Sequence, residues 1–373
     1  MNPLRRLTQH GQALWLDGIS RGLIKRGELQ RLVDEDGLTG LTSNATLLSN
    51  ALARSNDYDE ALDRVLQVNA NIVNRLLAER MMVEDVQLAA AVLRPVYDRT
   101  DGADGFVSVP VSPACAHDTA ATIADARRLW FAVARPNVMI EVPATPEAIY
   151  AVEMLIAQGI NVNTTLMFSP EQYEGFAHAY IRGVARHAEP RHVSAVASVF
   201  VSRLHSLADQ RLTSIGTAGT LAARGTTAIA NARRIHRRFT EIFRGAAFAD
   251  AARRGAHVQR LLWAGTGNNP SDSDVLYLEA LIGSDTVTTM PLATLDAFRD
   301  RGRVRGALED DGPDENSAPA AADMYGLNAA DIDGQLQAEG LSALAASHEQ
   351  LLMTIDRKRR LMAAHRLAET TLG

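Results

Sequence analysis

Short apolar runs rich in Val, Ile and Leu recur at 13–17, 38–43, 106–111, 138–142, 160–166, 193–201, 258–264 and 286–290, separated by longer amphipathic stretches. Apolar runs of this kind predict strands buried on both faces, as in parallel sheets. Helix-length segments at 118–132, 146–157, 170–187 and 222–243 carry apolar residues at helical spacing, with Pro, Ser, Thr or Asp near several of their starts. Eight strands joined by helical crossovers predict an α/β fold of the (β/α)8 TIM-barrel type. A doubly wound sheet fits less well. It would want a glycine-rich phosphate loop after the first strand, which here ends in LDGISRG, and the later Gly265-Thr266-Gly267 lacks the third glycine.

The barrel pattern occupies residues 1–304. Residues 305–326 are acidic, Pro- and Ala-rich and without periodicity, which predicts an exposed loop or arm. Helical periodicity returns over 327–373, so a C-terminal helical appendage packed on the barrel is expected.

Composition narrows the functional classes. A net charge of -6 with 46% hydrophobic and 22% charged residues excludes disorder as the main state and makes a general nucleic-acid binder a poor fit. The basic clusters Arg233 to Arg238 and Arg357 to Arg360 fall in helical sequence and read as solvated faces. A single cysteine, Cys115, excludes an intramolecular disulfide and any site needing two thiolates, which fits a reducing cytoplasm. No stretch has signal-peptide or membrane-span character, so neither export nor a membrane partner is expected. The basic residues are nearly all arginine: of the 38, only Lys25 and Lys358 are lysine. Any chemistry that needs a buried amine must find it at one of two positions.

In a (β/α)8 barrel, chemistry sits at the C-terminal ends of the strands. Those ends supply Asp17, Asn44, Glu141, Asn163, Thr165, Ser198 and Arg203. Glu141, in NVMIEVPAT, is costly to bury unless paired or used. It either points outward, pairs with an arginine, or serves the site. Asn44 and Thr165 also read as caps or core hydrogen-bonding groups, and His117-Asp118 as a helix cap. Runs with metal-ligand spacing are missing, so no metal and no cofactor is expected.

The blocks WLDGISR (15–21), TSNAT (42–46), AHDTAATIADARRLW (116–130), VPATPEAIYAVEML (142–155), GINVNTTLMFS (159–169), SVFVSR (198–203), LLWAGTG (261–267) and DTVTTMP (285–291) follow one another along nearly the whole chain. In that order and spacing they resemble the transaldolase family, most closely its longer bacterial members. The resemblance implies a (β/α)8 barrel that transfers a dihydroxyacetone unit between sugar phosphates through a lysine Schiff base. It further implies Asp17 as the acid/base aspartate, Asn44 and the pair Asn163 and Thr165 as active-site residues, and Ser198 and Arg203 as the phosphate site.

Two departures fall on the chemistry. Where the family reads a strand like MIKVPAT with its Schiff-base lysine, this chain reads MIEVPAT with Glu141. Where the family has a glutamate that orders water for imine formation, this chain has Pro110, in VSVPVSP. A carboxylate forms no imine with a ketone, and proline has no side-chain proton to give or take. After the seventh strand, WAGTGNNPSDSD offers neutral and acidic residues where the family offers a basic one, so Arg203 with Ser198 is left to hold a phosphate or a carboxylate.

Three readings stay open. The first is a transaldolase-like barrel with changed chemistry, in which Asp17 and Glu141 act as acid and base, with Thr165, on a sugar-like or polyhydroxylated small molecule, by isomerisation, dehydration or cyclisation. The second is a non-catalytic protein that binds a ligand or partner. The third is transaldolase activity itself on sugar phosphates. The oligomeric state is not readable from the sequence.

Overall fold

The computed structural model describes residues 2–267, 274–308 and 329–372. Eight parallel strands close into a barrel in sequence order: β1 Gln12–Asp17, β2 Gly40–Thr42, β3 Phe106–Pro110, β4 Val138–Pro143, β5 Val162–Met167, β6 Ala195–Phe200, β7 Arg260–Ala264 and β8 Thr286–Met290. Each falls within or overlaps one of the apolar runs. The (β/α)8 barrel expected from the hydropathy pattern is therefore the observed fold.

Alternation along the strands divides two hydrophobic layers. Ala13, Trp15, Phe106, Met139, Val196, Leu262 and Val287 fill the barrel interior. Leu14, Leu16, Val107, Val109, Ile140 and Val142 pack outward in the layer shared with the helices. Because successive side chains of a strand face opposite sides, the next inward positions are fixed: Asp17 beyond Trp15, Pro110 beyond Ser108, and Glu141 beyond Met139. Strand register sets Glu141 level with Pro110 on one side and Asn163 on the other.

One long helix, Ala329–Leu372, closes the chain. Its Leu351 and Ile355 pack with Leu48, Leu52, Tyr58 and Leu62, while Ile332 and Leu336 join the main core. It crosses the C-terminal end of the barrel, where Thr46 Oγ1 donates to Ser347 Oγ at 3.0 Å and Gln337 Nε2 donates to the Ala144 carbonyl. Most of the acidic 305–326 segment, and residues 268–273 with both asparagines that follow Gly267, lie outside the described residues, while Asp274 pairs with Arg301. No described helix is long and apolar enough to cross a membrane.

Candidate functional site

A cavity of about 380 Å³ opens at the C-terminal end of the barrel, and Asp17, Asn44, Glu141, Asn163, Thr165, Ser198 and Arg203 all line it. Strand ends deliver the first six, and the helix Val201–Ile215 that follows β6 delivers Arg203.

Glu141 points into the cavity, and no described arginine or lysine forms an ion pair with it. Its Oε2 accepts from Ser108 Oγ at 3.0 Å and lies 3.5 Å from Asn163 Nδ2. Burial pushes its carboxyl up to about 7, with the nearby Asp17 charge adding to the rise and hydrogen bonds from Ser108 and Thr165 opposing it. The carboxyl therefore keeps its proton up to near neutral pH. Asp17 is also raised by burial, held back by hydrogen bonds from Thr42 and Asn44; Thr42 Oγ1 donates to Asp17 Oδ1 at 3.2 Å.

Glu141 ends a run of directed hydrogen bonds across the barrel floor. Ser198 Oγ donates to Asn163 Oδ1 at 2.7 Å, Asn163 Nδ2 donates to Ser108 Oγ at 3.0 Å, and Ser108 donates onward to the carboxyl. Asn163, Thr165 and Ser198 are each 1–2% exposed, so their polar atoms face one another and the cavity. Asn44 has two duties: its Oδ1 caps the helix Ala45–Arg54 by accepting from the amides of Thr46 and Leu47, and its side chain also reaches Asp17. Asp118 proves to be a cap, accepting from the Ala121 amide at 2.9 Å.

Arg203 has no acidic partner among the described residues; its guanidinium carbon stands 5.9 Å from the centre of the Phe200 ring. It presents an unneutralised fork to the cavity, suited to a phosphate or carboxylate. Arg75 and, from the C-terminal helix, Ser347 and His348 also line the cavity. Neither lysine of the chain lines the cavity. Lys25 Nζ donates to the Asp57 carbonyl, and Lys358 pairs with Asp59 at 2.6 Å.

The residues missed from sequence fall in two groups. Ser108 lies two positions before Pro110 on the same strand, so strand periodicity alone puts it on the inner face; that signal was available. His348 and Ser347 reach the cavity from a helix some 300 positions from Thr46 in sequence, as the Thr46–Ser347 bond shows. Nothing local to residues 340–350 announces that docking. Among the described residues no group of three or more His, Cys, Asp or Glu stands where it would hold a metal ion.

The sequence profile of the Transaldolase/Fructose-6-phosphate aldolase family matches residues 14–355. The chain is 40% identical over 360 residues to a transaldolase of Thiobacillus denitrificans, covering 95% of this chain and 100% of that protein. It is 41% identical over 371 residues to a transaldolase of Thermobifida fusca, covering 98% and 99% of the two. Against transaldolase 1 of Streptomyces coelicolor the identity is 40% over 359 residues, covering 94% and 93%. With the closed eight-stranded barrel and the profile match running from β1 into the C-terminal helix, the chain belongs to the transaldolase/fructose-6-phosphate aldolase family.

Proposed function

We propose that this chain acts on a sugar phosphate of the class handled by its transaldolase relatives, and that proton transfer between Glu141, Asp17 and the substrate carries its chemistry in place of a lysine imine. The substrate class is supported by about 40% identity over the full length of proteins named transaldolase and by Arg203, which has no acidic partner among the described residues and lines the cavity together with Ser198. The observation that carries the chemistry is Glu141 itself, inward-facing, without a basic partner among the described residues, and holding its proton up to about pH 7. At the position where the family is expected to carry its lysine, the chain offers an acid.

In this reading Asp17, ionised, takes a proton from the hydroxyl-bearing carbon adjoining a carbonyl, and neutral Glu141 gives its proton to the carbonyl oxygen, forming an enediol. Transfer of the Asp17 proton to the former carbonyl carbon, with the other enediol hydroxyl giving its proton to Glu141, completes an isomerisation; departure of a hydroxyl from the next carbon as water with the Asp17 proton, while an enediol hydroxyl returns its proton to Glu141, gives a dehydration. Ser108 and Asn163 both donate to Oε2 of Glu141, so the transferable proton sits on Oε1. Thr165 orients the same carboxyl, while Asn44, Asn163, Ser198 and Arg203 bind the substrate.

Transaldolase activity itself is the second reading, and the family comparisons favour it over the first, since every relative named above is called a transaldolase. A lysine separates the two. Borohydride reduction in the presence of fructose 6-phosphate leaves the protein mass unchanged under the first reading; a reduced adduct on Lys25 or Lys358 overturns it. Glu141→Gln keeps size and hydrogen bonding but has no acidic proton. It lowers turnover of the true substrate by roughly 10² or more if Glu141 is the general acid, and leaves it unchanged if the carboxyl is only structural.

A further inference from the structure

Two hydroxyls of the cavity wall take no part in the arrangement above. Thr289 of β8 is 4% exposed and lines the cavity, yet its Oγ1 has no hydrogen-bond partner. Its backbone is held, because the Thr289 carbonyl accepts from Thr266 Oγ1 at 2.7 Å. Ser43, just past β2, also lines the cavity, and its Oγ is buried without a partner while its amide donates to the Ser108 carbonyl at 2.9 Å. Thr164 and Thr288 likewise carry unpartnered hydroxyls but do not line the cavity.

The placement of the two is not arbitrary. In the barrel β1 lies between β2 and β8. Trp15 is level with Thr289 and Asp17 with Thr42, so the hydroxyls come from the strands on either side of the one that carries Asp17. Buried hydroxyls are ordinarily bonded, and leaving one unmet is destabilising. A cavity-lining side chain whose hydroxyl is unmet by protein is one that can turn that hydroxyl to a ligand. Serine and threonine each donate one hydrogen bond and accept others, so the pair suits hydroxyl groups, which do both, better than an aliphatic chain or a bare carboxylate.

We propose that Thr289 and Ser43 are substrate-binding residues that each take a hydroxyl of the substrate, from either side of the strand that carries Asp17. The site would thus select a polyhydroxylated substrate by its hydroxyls as well as by its anionic end at Arg203. The inference rests on the reading that the cavity holds a sugar-like substrate.

The test uses the full chain and two readouts. Thr289→Val keeps the shape of the side chain and removes the hydroxyl. If the hydroxyl is unmet in the free protein, the variant melts no lower than the unaltered chain, because no bond is lost and a buried polar group is gone. Calorimetric affinity for fructose 6-phosphate falls roughly 5- to 10-fold in Thr289→Val and again in Ser43→Ala, while affinity for inorganic phosphate stays unchanged. A melting point lowered by several degrees in Thr289→Val assigns the hydroxyl a structural bond and overturns the proposal. Undiminished affinity for fructose 6-phosphate in both variants also overturns it. If the unaltered chain binds no fructose 6-phosphate, the substrate reading fails instead, and the melting point of Thr289→Val decides this inference by itself.

Discussion

Among the described residues, Glu141 is held by neutral donors alone. Ser108 Oγ and Asn163 Nδ2 both aim at Oε2, and hydrogen bonds to a carboxylate favour its charged form. They oppose a larger desolvation, so the group settles at about 7 rather than higher. Ser108→Ala removes the nearer donor and is expected to raise the Glu141 value further, moving the pH at which the acid form is lost upward. A carbon-13 titration of the labelled Glu141 carboxyl reads that shift without any turnover; a midpoint that stays in place or falls shows that Ser108 does not act on the carboxyl. At this scale much was legible. A glutamate inside a run of Met, Ile, Val and Pro already declares that it is either paired or used, and the strand period already puts it on the face of Met139. What no sequence pattern supplies is which donor meets which oxygen, because Ser108 and Asn163 come from strands on opposite sides of β4.

The elements show how a chain with so bulky a first strand closes its barrel. Gly40 of β2 lies level with Trp15 of β1, and a Cβ at Gly40 would stand 2.3 Å from the indole. The ring has nowhere to retreat: Trp15 is fully buried, and its Nε1 donates to Asp104 Oδ1 at 3.0 Å, while Asp104 in turn pairs with Arg260 of β7. Gly40→Ala is therefore an overpacking substitution, expected to cost about 1–3 kcal/mol, toward the upper end because the contact is with a fixed ring. Urea unfolding of the variant measures it, and a cost below about 0.5 kcal/mol would mean that the ring moves freely. The eight strands were readable because parallel strands covered on both faces leave long apolar runs. The docking of the last helix was not, since its face is chosen by helices Ala45–Arg54 and Asn74–Arg99, hundreds of positions away. The helix brings its own close approach: a Cβ at Gly340 would stand 2.8 Å from the Leu166 side chain, directly beyond Thr165.

For the molecule as a whole, an acid kept protonated inside a barrel has a consequence for stability that needs no substrate. Glu141 titrates near 7 in the folded chain against an ordinary value of 4.5. Between those pH values the folded state holds a proton that the unfolded state has released, so stability falls as pH rises. The contribution is complete below about pH 4.5, is lost as pH climbs through 7, and is constant above. At about 1.36 kcal/mol per pH unit the loss amounts to about 3 kcal/mol. Asp17, raised in the same direction by burial, adds to the slope, while Asp36, held low against its burial by hydrogen bonds from Arg299 and Asn2, and Glu174, held low by Arg238, act in the opposite sense only below their ordinary values of 3.8 and 4.5. The pH profile of the unaltered protein mixes these groups, and a difference isolates one of them. Glu141→Gln accepts the same hydrogen bonds and never ionises, so its stability relative to the unaltered chain is expected to climb from about pH 4.5 to 8 by about 3 kcal/mol. Urea unfolding of both proteins at several pH values across that range measures it. A flat difference would mean that the folded chain holds Glu141 like an exposed carboxyl, and the case for a neutral acid in the cavity would go with it. A rising difference means that burial in the cavity holds the proton on Glu141, so that its ionisation at neutral pH is destabilising.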